Sequence, residues 1–226
     1  MKINLKLKLK NVVFLLILLN MFAGFAQNPT AKKQIIIDVG HGGKDSGAIG
    51  INEIQEKTVV LNIAKEIVKL NRTILDNKLD IYLTRYRDTF ISLADRSKLP
   101  KTLKADLFIS IHCNASKSSS KGMEVYVFNS KTEAFNIKKS IGFGLSVLNE
   151  STQNLHLKKR GVKFENFQVL RETIIHCPAI LIETGFVTSS DEADYFLKPQ
   201  NISAVALAIL LGTNKYLNMN YERNFK

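Results

Sequence analysis

Four short runs rich in β-branched and aliphatic residues, each leading into a polar or glycine-rich segment, constrain this chain more than any other feature. They are Gln34 to Val39, Leu79 to Thr84, Leu107 to His112 and Ala179 to Glu183. Each has the length of a strand rather than a helix, and the most apolar of them read as strands buried on both faces. Between them the periodicity changes. Val60, Ile63, Ile67, Leu70 and Ile74 recur at helical spacing, which predicts a helix over 57 to about 75. Further helices are expected over 91–98, 132–149, 190–197 and 202–217, with Ser189 and Glu192 forming a capping box for the third of them. Gly122 to Phe128 alternates Met123, Val125 and Val127 with Glu124 and Tyr126, a strand with one more exposed face. Residues 151–166 read as a polar, basic connection, and Phe167 to Arg171 as a short strand or a helix start. The alternation predicts an α/β fold: a single domain with a mainly parallel twisted sheet and helices on both faces.

The first residues stand apart. Lys2, Lys6, Lys8 and Lys10 precede the apolar stretch Val12 to Phe25, and Gly24-Phe25-Ala26 offers small residues where a signal peptidase cuts. This reads as a secretory signal over 1–26 followed by a domain over 27–226, the competing reading being an uncleaved anchor. Export to the periplasm or cell envelope follows. The formal charge of +12 falls to about +8 without those lysines. In an exported chain that balance suits anionic envelope polymers rather than nucleic acid. The densest basic cluster is Lys158-Lys159-Arg160 with Lys163. Cys113 follows one strand and Cys177 precedes another, so parallel strands hold the sulfurs too far apart for a bridge, and free thiols are expected.

The polar residues at the strand ends carry the chemistry. His41 sits in Gly40-His41-Gly42-Gly43, where glycines permit a tight turn and close approach of a ligand. The same loop lacks the Ser or Thr of a phosphate loop and the third glycine of a dinucleotide fingerprint. Glu56 lies at a helix start, with Glu53 an alternative that spacing alone leaves open. His112 follows a buried strand, with Ser110 and Asn114 beside it to orient a ring or a substrate carbonyl. Glu183 follows four aliphatic residues, a desolvating setting that suits a carboxylate to proton transfer. Two imidazoles and a carboxylate make a ligand set for a divalent metal with an open position, and a second carboxylate can work on the bound water. Iron also accepts such a set. A metal-dependent hydrolase is the reading. His156 lies in polar sequence and His176 at the far end of its strand, so neither is assigned to the site.

The motifs have a familiar order. Ile36-Ile37-Asp38-Val39-Gly40-His41-Gly42-Gly43-Lys44-Asp45-Ser46-Gly47-Ala48, Glu56-Lys57, Leu83-Thr84-Arg85, Asp88, Leu93, Arg96, Ala105 to Ala115, and Pro178 to Phe186 together resemble the zinc-dependent N-acetylmuramoyl-L-alanine amidases over nearly the whole of 27–226. The resemblance implies one zinc per chain held by His41, Glu56 and His112, which selects Glu56 over Glu53, and Glu183 as catalytic base and acid. It implies cleavage of the amide between N-acetylmuramic acid and L-alanine of peptidoglycan, with a zinc-bound water as nucleophile. Asn114 is a weaker candidate for holding substrate, and Arg160 for steering the acidic stem peptide. A monomer is expected, and a protein activator is compatible with the family. Two departures stand out: Lys98-Leu99-Pro100-Lys101 where relatives carry Ala-Asn, and Thr184 where an aliphatic residue is common. Some relatives insert a site-blocking helix; here Asn129 to Gly161 reads as one ordinary helix and a connection. The rival readings are a zinc peptidase cutting within the stem and a catalytically silent or partner-gated wall-binding protein.

Overall fold

The computed structural model describes residues 32–117, 120–129 and 132–219; the signal segment expected over 1–26 lies outside them. Among the described residues, six strands form one sheet: β1 (Lys33–Val39), β2 (Leu79–Leu83), β3 (Leu107–Asn114), β4 (Met123–Val127), β5 (Lys159–Phe164) and β6 (Ala179–Phe186), in the order β2-β1-β3-β6-β4-β5. The first four in that order are parallel, whereas β4 runs antiparallel to β6 and carries β5 parallel beside it. The helices are α1 (Glu56–Thr73), α2 (Leu93–Thr102), α3 (Ala134–Leu155), α4 (Gln168–Thr173), α5 (Ser190–Phe196) and α6 (Pro199–Asn218).

Register and alternation sort the side chains into two faces. Ile35, Ile37 and Val39 of β1 line up with Leu107, Ile109 and Ile111 of β3, and the last two of these with Ile180 and Ile182 of β6. All are buried, and α1, α6 and α3 pack side by side over this part of the fold. The other face carries Asp38, Ser110, His112, Leu181 and Glu183 towards its C-terminal end; α2 and α4 pack together over it. The chain leaves β1 for β2 and then crosses back to β3, so right-handed crossovers put α1 and α2 on opposite faces. The connections after β1 and β3 thus part company, opening the crevice where such sheets bind ligands.

Several expected elements change extent. Helix α2 runs through Pro100 to Thr102 rather than stopping at 98, and ends with the Leu103 N–H on the Leu99 carbonyl at 3.0 Å. The proline forfeits a single backbone bond, near the helix end where the loss is least disruptive. Helix α3 continues to Leu155, where His156 takes a left-handed turn (φ 54°). The connection expected over 151–166 therefore contains both the last turn of α3 and the strand β5. Phe167 to Arg171 is a helix start, α4. Strand β6 continues to Phe186, so Glu183 lies inside it. The capping box does not form: Ser189 makes no side-chain cap, and the Glu192 carboxylate instead accepts the N–H groups of Gly122 (2.8 Å) and Phe186 (2.6 Å). Burial lets Glu192 tie the start of β4 to the end of β6. Cys113 and Cys177 are free and buried.

Candidate active site

Strand β1 feeds directly into the turn that carries His41, itself in the left-handed region at φ 57°. That conformation is costly for a residue with a Cβ and persists where surroundings over-determine it. Two buried arginines do so. Arg85 donates to the carbonyls of Val39 (3.1 Å), Gly40 (2.8 Å) and Lys57 (2.8 Å). Arg96 donates to the carbonyl of His41 at 2.7 Å and pairs with the buried Asp38 at 2.8 Å. Asp38 also accepts from Thr84 (3.0 Å) and Ser110 (2.7 Å), so the buried charge is compensated on every side. Gly40 is required by space: a Cβ there would lie 2.5 Å from the His112 ring.

The turn brings His41 onto Glu56, the first residue of α1. One oxygen of Glu56, Oε1, lies 3.1 Å from His41 Nε2 and 2.8 Å from His112 Nδ1. Candidate ligand atoms of His41, Glu56 and His112 all fall within 4.8 Å of one another. The rings meet edge to face at 80°. Glu53 is exposed in the short turn Ile51–Glu53 and stays outside the cluster. The remaining capacity of Glu56 is used by backbone: Oε2 accepts the Ala48 N–H at 2.9 Å, and Oε1 that of Cys113 at 3.0 Å. His41 Nδ1 pairs with Asp45 at 2.9 Å, leaving Nε2 turned toward the cluster. Two imidazole nitrogens and a carboxylate oxygen converge here, on separate segments, without a lysine or arginine among them. That donor set fits a divalent cation with open positions.

Electrostatics agree with the geometry. Burial works against ionisation of Glu56, yet hydrogen bonds and charge from His112 and His41 hold its carboxyl far below the ordinary range. Burial alone would lower the His41 pKa; Glu56, then Asp45, outweigh it and hold it above the usual value. Glu183 behaves in the opposite way. Burial pushes its carboxyl up to about 7; among nearby charges His112 and His41 pull it down while Glu56 and Glu124 push it up.

Glu183 pairs in register with His112 on the neighbouring strand, and so projects from the same face. Its Oε2 is buried and has no hydrogen-bond partner among the described residues. An unpaired buried carboxylate oxygen is expensive, and such groups recur where a ligand or reaction needs them. A cleft of about 520 Å³ is lined by His41, His112 and Glu183 together with the apolar Phe90, Leu93 and Phe167. Asn114 and Arg160 do not line it. Asn114 Nδ2 donates to Glu124 Oε1 at 2.7 Å, and Arg160 Nε to Glu124 Oε2 at 2.7 Å. His156 and His176 are exposed, outside the cluster.

Sequence reasoning missed four residues that build this site. Asp45 was legible as an acid four residues beyond His41 in a glycine loop. Arg85 and Arg96 entered only as motif positions, with no signal that they would clamp successive carbonyls. Glu124 looked like the polar half of an alternating strand but is 2% exposed.

Comparison with known proteins agrees with the architecture. A family model described as N-acetylmuramoyl-L-alanine amidase matches residues 35–215. The N-acetylmuramoyl-L-alanine amidase LytC of Bacillus subtilis is 38% identical over 192 residues, 84% of this chain but 36% of the relative, so the chain spans about a third of that protein. The crystal structure of an N-acetylmuramoyl-L-alanine amidase from Clostridium difficile 630 superposes with a TM-score of 0.76 at 31% identity, covering 84% of this chain and all of the other. The CwlD amidase of Clostridioides difficile, solved in complex with the GerS lipoprotein, gives 0.75 at 25% identity and covers 84% and 100%. The chain belongs to the N-acetylmuramoyl-L-alanine amidase family, a family of hydrolases.

Proposed function

We propose that this chain is an exported, zinc-dependent amidase that releases stem peptides from peptidoglycan by cutting the amide between N-acetylmuramic acid and L-alanine. The observation that carries the reading is the position of Glu183: a buried carboxylate with one unpaired oxygen, one strand from His112, in the cleft wall that also holds His41. His41, Glu56 and His112 would hold the metal. When bound, zinc supplies Lewis-acid chemistry, polarising a carbonyl and making water acidic near neutral pH.

The protein residues have separable tasks. Asp45 fixes the tautomer and orientation of His41 through Nδ1. Arg85 and Arg96 hold the turn that presents the ring. Glu183 takes a proton from the attacking water at its unpaired oxygen and delivers it to the departing alanine nitrogen. Its desolvated setting favours such two-way exchange. The apolar lining of Phe90, Leu93 and Phe167 excludes water from around the substrate. Export rests on the basic and apolar pattern of residues 1–26, and envelope action on relatives named as cell wall amidases, such as the probable cell wall amidase LytH of Staphylococcus epidermidis. A protein activator is compatible with the pairing of CwlD and GerS, and a monomer remains the expected state.

The test is mass spectrometry of purified peptidoglycan digested by the protein supplied with zinc. Free peptides beginning at L-alanine, with intact glycan left behind, are expected. Cuts between amino acids would replace the reading with a peptidase. Zinc-loaded protein that binds the wall and releases nothing would replace it with a silent or partner-gated binder.

A further inference from the structure

Beyond Glu183 the same row of the sheet carries an unusual arrangement of charge. Glu124 on β4 pairs in register with Glu183 on β6 and is almost completely buried. Its two oxygens take Asn114 and Tyr126 on one side, and both Arg160 and Lys163 of β5 on the other. One buried carboxylate needs one cation. Here it has two, so the group retains a net positive charge, and both cations stay partly open to solvent, with side-chain exposures of 25% for Arg160 and 40% for Lys163.

Both are also held in place. The Arg160 guanidinium lies 4.9 Å from the centre of the Phe186 ring, and Lys163 Nζ lies 5.8 Å from that of Tyr126. Tyr126 in turn meets Phe167, a residue of the cleft wall, edge to face at 5.3 Å. A pre-organised cation loses little freedom on meeting an anion. Long flexible lysines on an open surface would lose much more.

The spacing indicates what such a group would meet. Two inter-strand steps separate β6 from β5, about 10 Å. An extended peptide leaving a bond at Glu183 covers about 7 Å in two residues, and a side chain supplies the rest. We infer that Arg160 and Lys163, anchored on Glu124, form a subsite for a carboxylate carried by the second residue on the peptide side of the scissile bond. The inference rests on the amidase reading of the cleft and adds which part of the substrate is recognised. Arg160 and Lys163 then act as specificity-determining residues, and Glu124 as the residue that positions them.

The experiment compares two synthetic N-acetylmuramoyl peptides that begin with L-alanine. In one the second residue bears a free carboxylate; in the other that group is a carboxamide. Release of peptide and binding of each compound are both measured with zinc-loaded full-length protein. Wild type should favour the acid by about tenfold to hundredfold in kcat/KM, the range of a charge-assisted hydrogen bond, with the difference in KM rather than kcat. Arg160→Gln and Lys163→Gln should each shrink that ratio toward unity. Lys163→Gln keeps the Arg160–Glu124 pair and so provides a folded variant if Arg160→Gln unfolds. Equal use of acid and amide by wild type would overturn the subsite. So would a ratio that survives in a folded variant, or a loss falling equally on both substrates, which would mark a merely structural role. Preferential binding of the acid without any release would retain the subsite and sink the amidase reading instead.

Discussion

At the scale of single residues, the two carboxylates at the His41–Glu56–His112 cluster have opposite surroundings, one rich in donors and one desolvated. Glu56 is surrounded by donors and stays ionised, whereas Glu183 is buried with an oxygen that finds no hydrogen-bond partner among the described residues. Glu183→Gln should therefore abolish peptide release, by about a thousandfold or more if it supplies the only general base, while zinc content measured by elemental analysis stays at one per chain. A variant that still turns over removes Glu183 from the proton transfer; one that loses zinc makes it a ligand. Asp45 acts one bond further out, on the far nitrogen of His41. Losing such a partner typically weakens metal binding by about tenfold to a hundredfold. Asp45→Ala should show that loss in competition with a chromogenic chelator, and unchanged affinity would reduce Asp45 to a loop residue.

At the scale of elements, β5 has the most to explain, because its sequence Lys-Arg-Gly-Val-Lys-Phe looks like a solvated connection. Among the described residues it is an edge strand with β4 as its one neighbour, a place where charged side chains are common. Its cations are drawn inward by Glu124. Burial would raise the Glu124 pKa, but hydrogen bonds from Lys163, Arg160 and Tyr126 hold it below the ordinary value. A carboxyl depressed in the folded state contributes its full share of stability above the unfolded value of about 4.3. That share is lost as the pH falls through the lower folded value. The melting temperature of wild type should thus fall more steeply than that of Glu124→Gln between about pH 5 and 3; parallel curves would mean Glu124 stabilises nothing. The same strand shows where sequence reading runs out. Strands β1, β3 and β6 were legible because burial on both faces demands aliphatic runs, and α1 because one stripe of it is buried. The strand β5 was hidden because its stability comes from a charge on a different strand, and the extension of α2 through Pro100 because the cost there is local. Glu192 matched a capping pattern but found better-buried donors in Gly122 and Phe186. Pairings of this kind depend on tertiary distance, which no spacing rule contains.

At the scale of the whole molecule, the sheet order makes one crevice where segments far apart in sequence meet. His41 leaves β1, Glu56 opens α1 on the far side of a glycine loop, and His112 stands near the end of β3. A metal at their meeting point would link all three, and the unfolded chain has no equivalent site. Ligand binding confined to the folded state stabilises it by RT ln(1 + [L]/Kd), about 4 kcal/mol at a thousandfold excess over Kd. For a domain of this size each kcal/mol moves the midpoint by about 2 to 4 °C, so zinc should raise Tm by about 8 to 16 °C over chelator-treated protein. The position of the gain is as informative as its size. Glu183→Gln should keep the full shift, since that carboxylate faces the cluster without belonging to it. His112→Ala should lose most of it, because the bond between β3 and the loop after β1 goes with the ring. An identical Tm with and without zinc would mean that the three side chains are held by hydrogen bonds alone, and that the cluster is not a metal site.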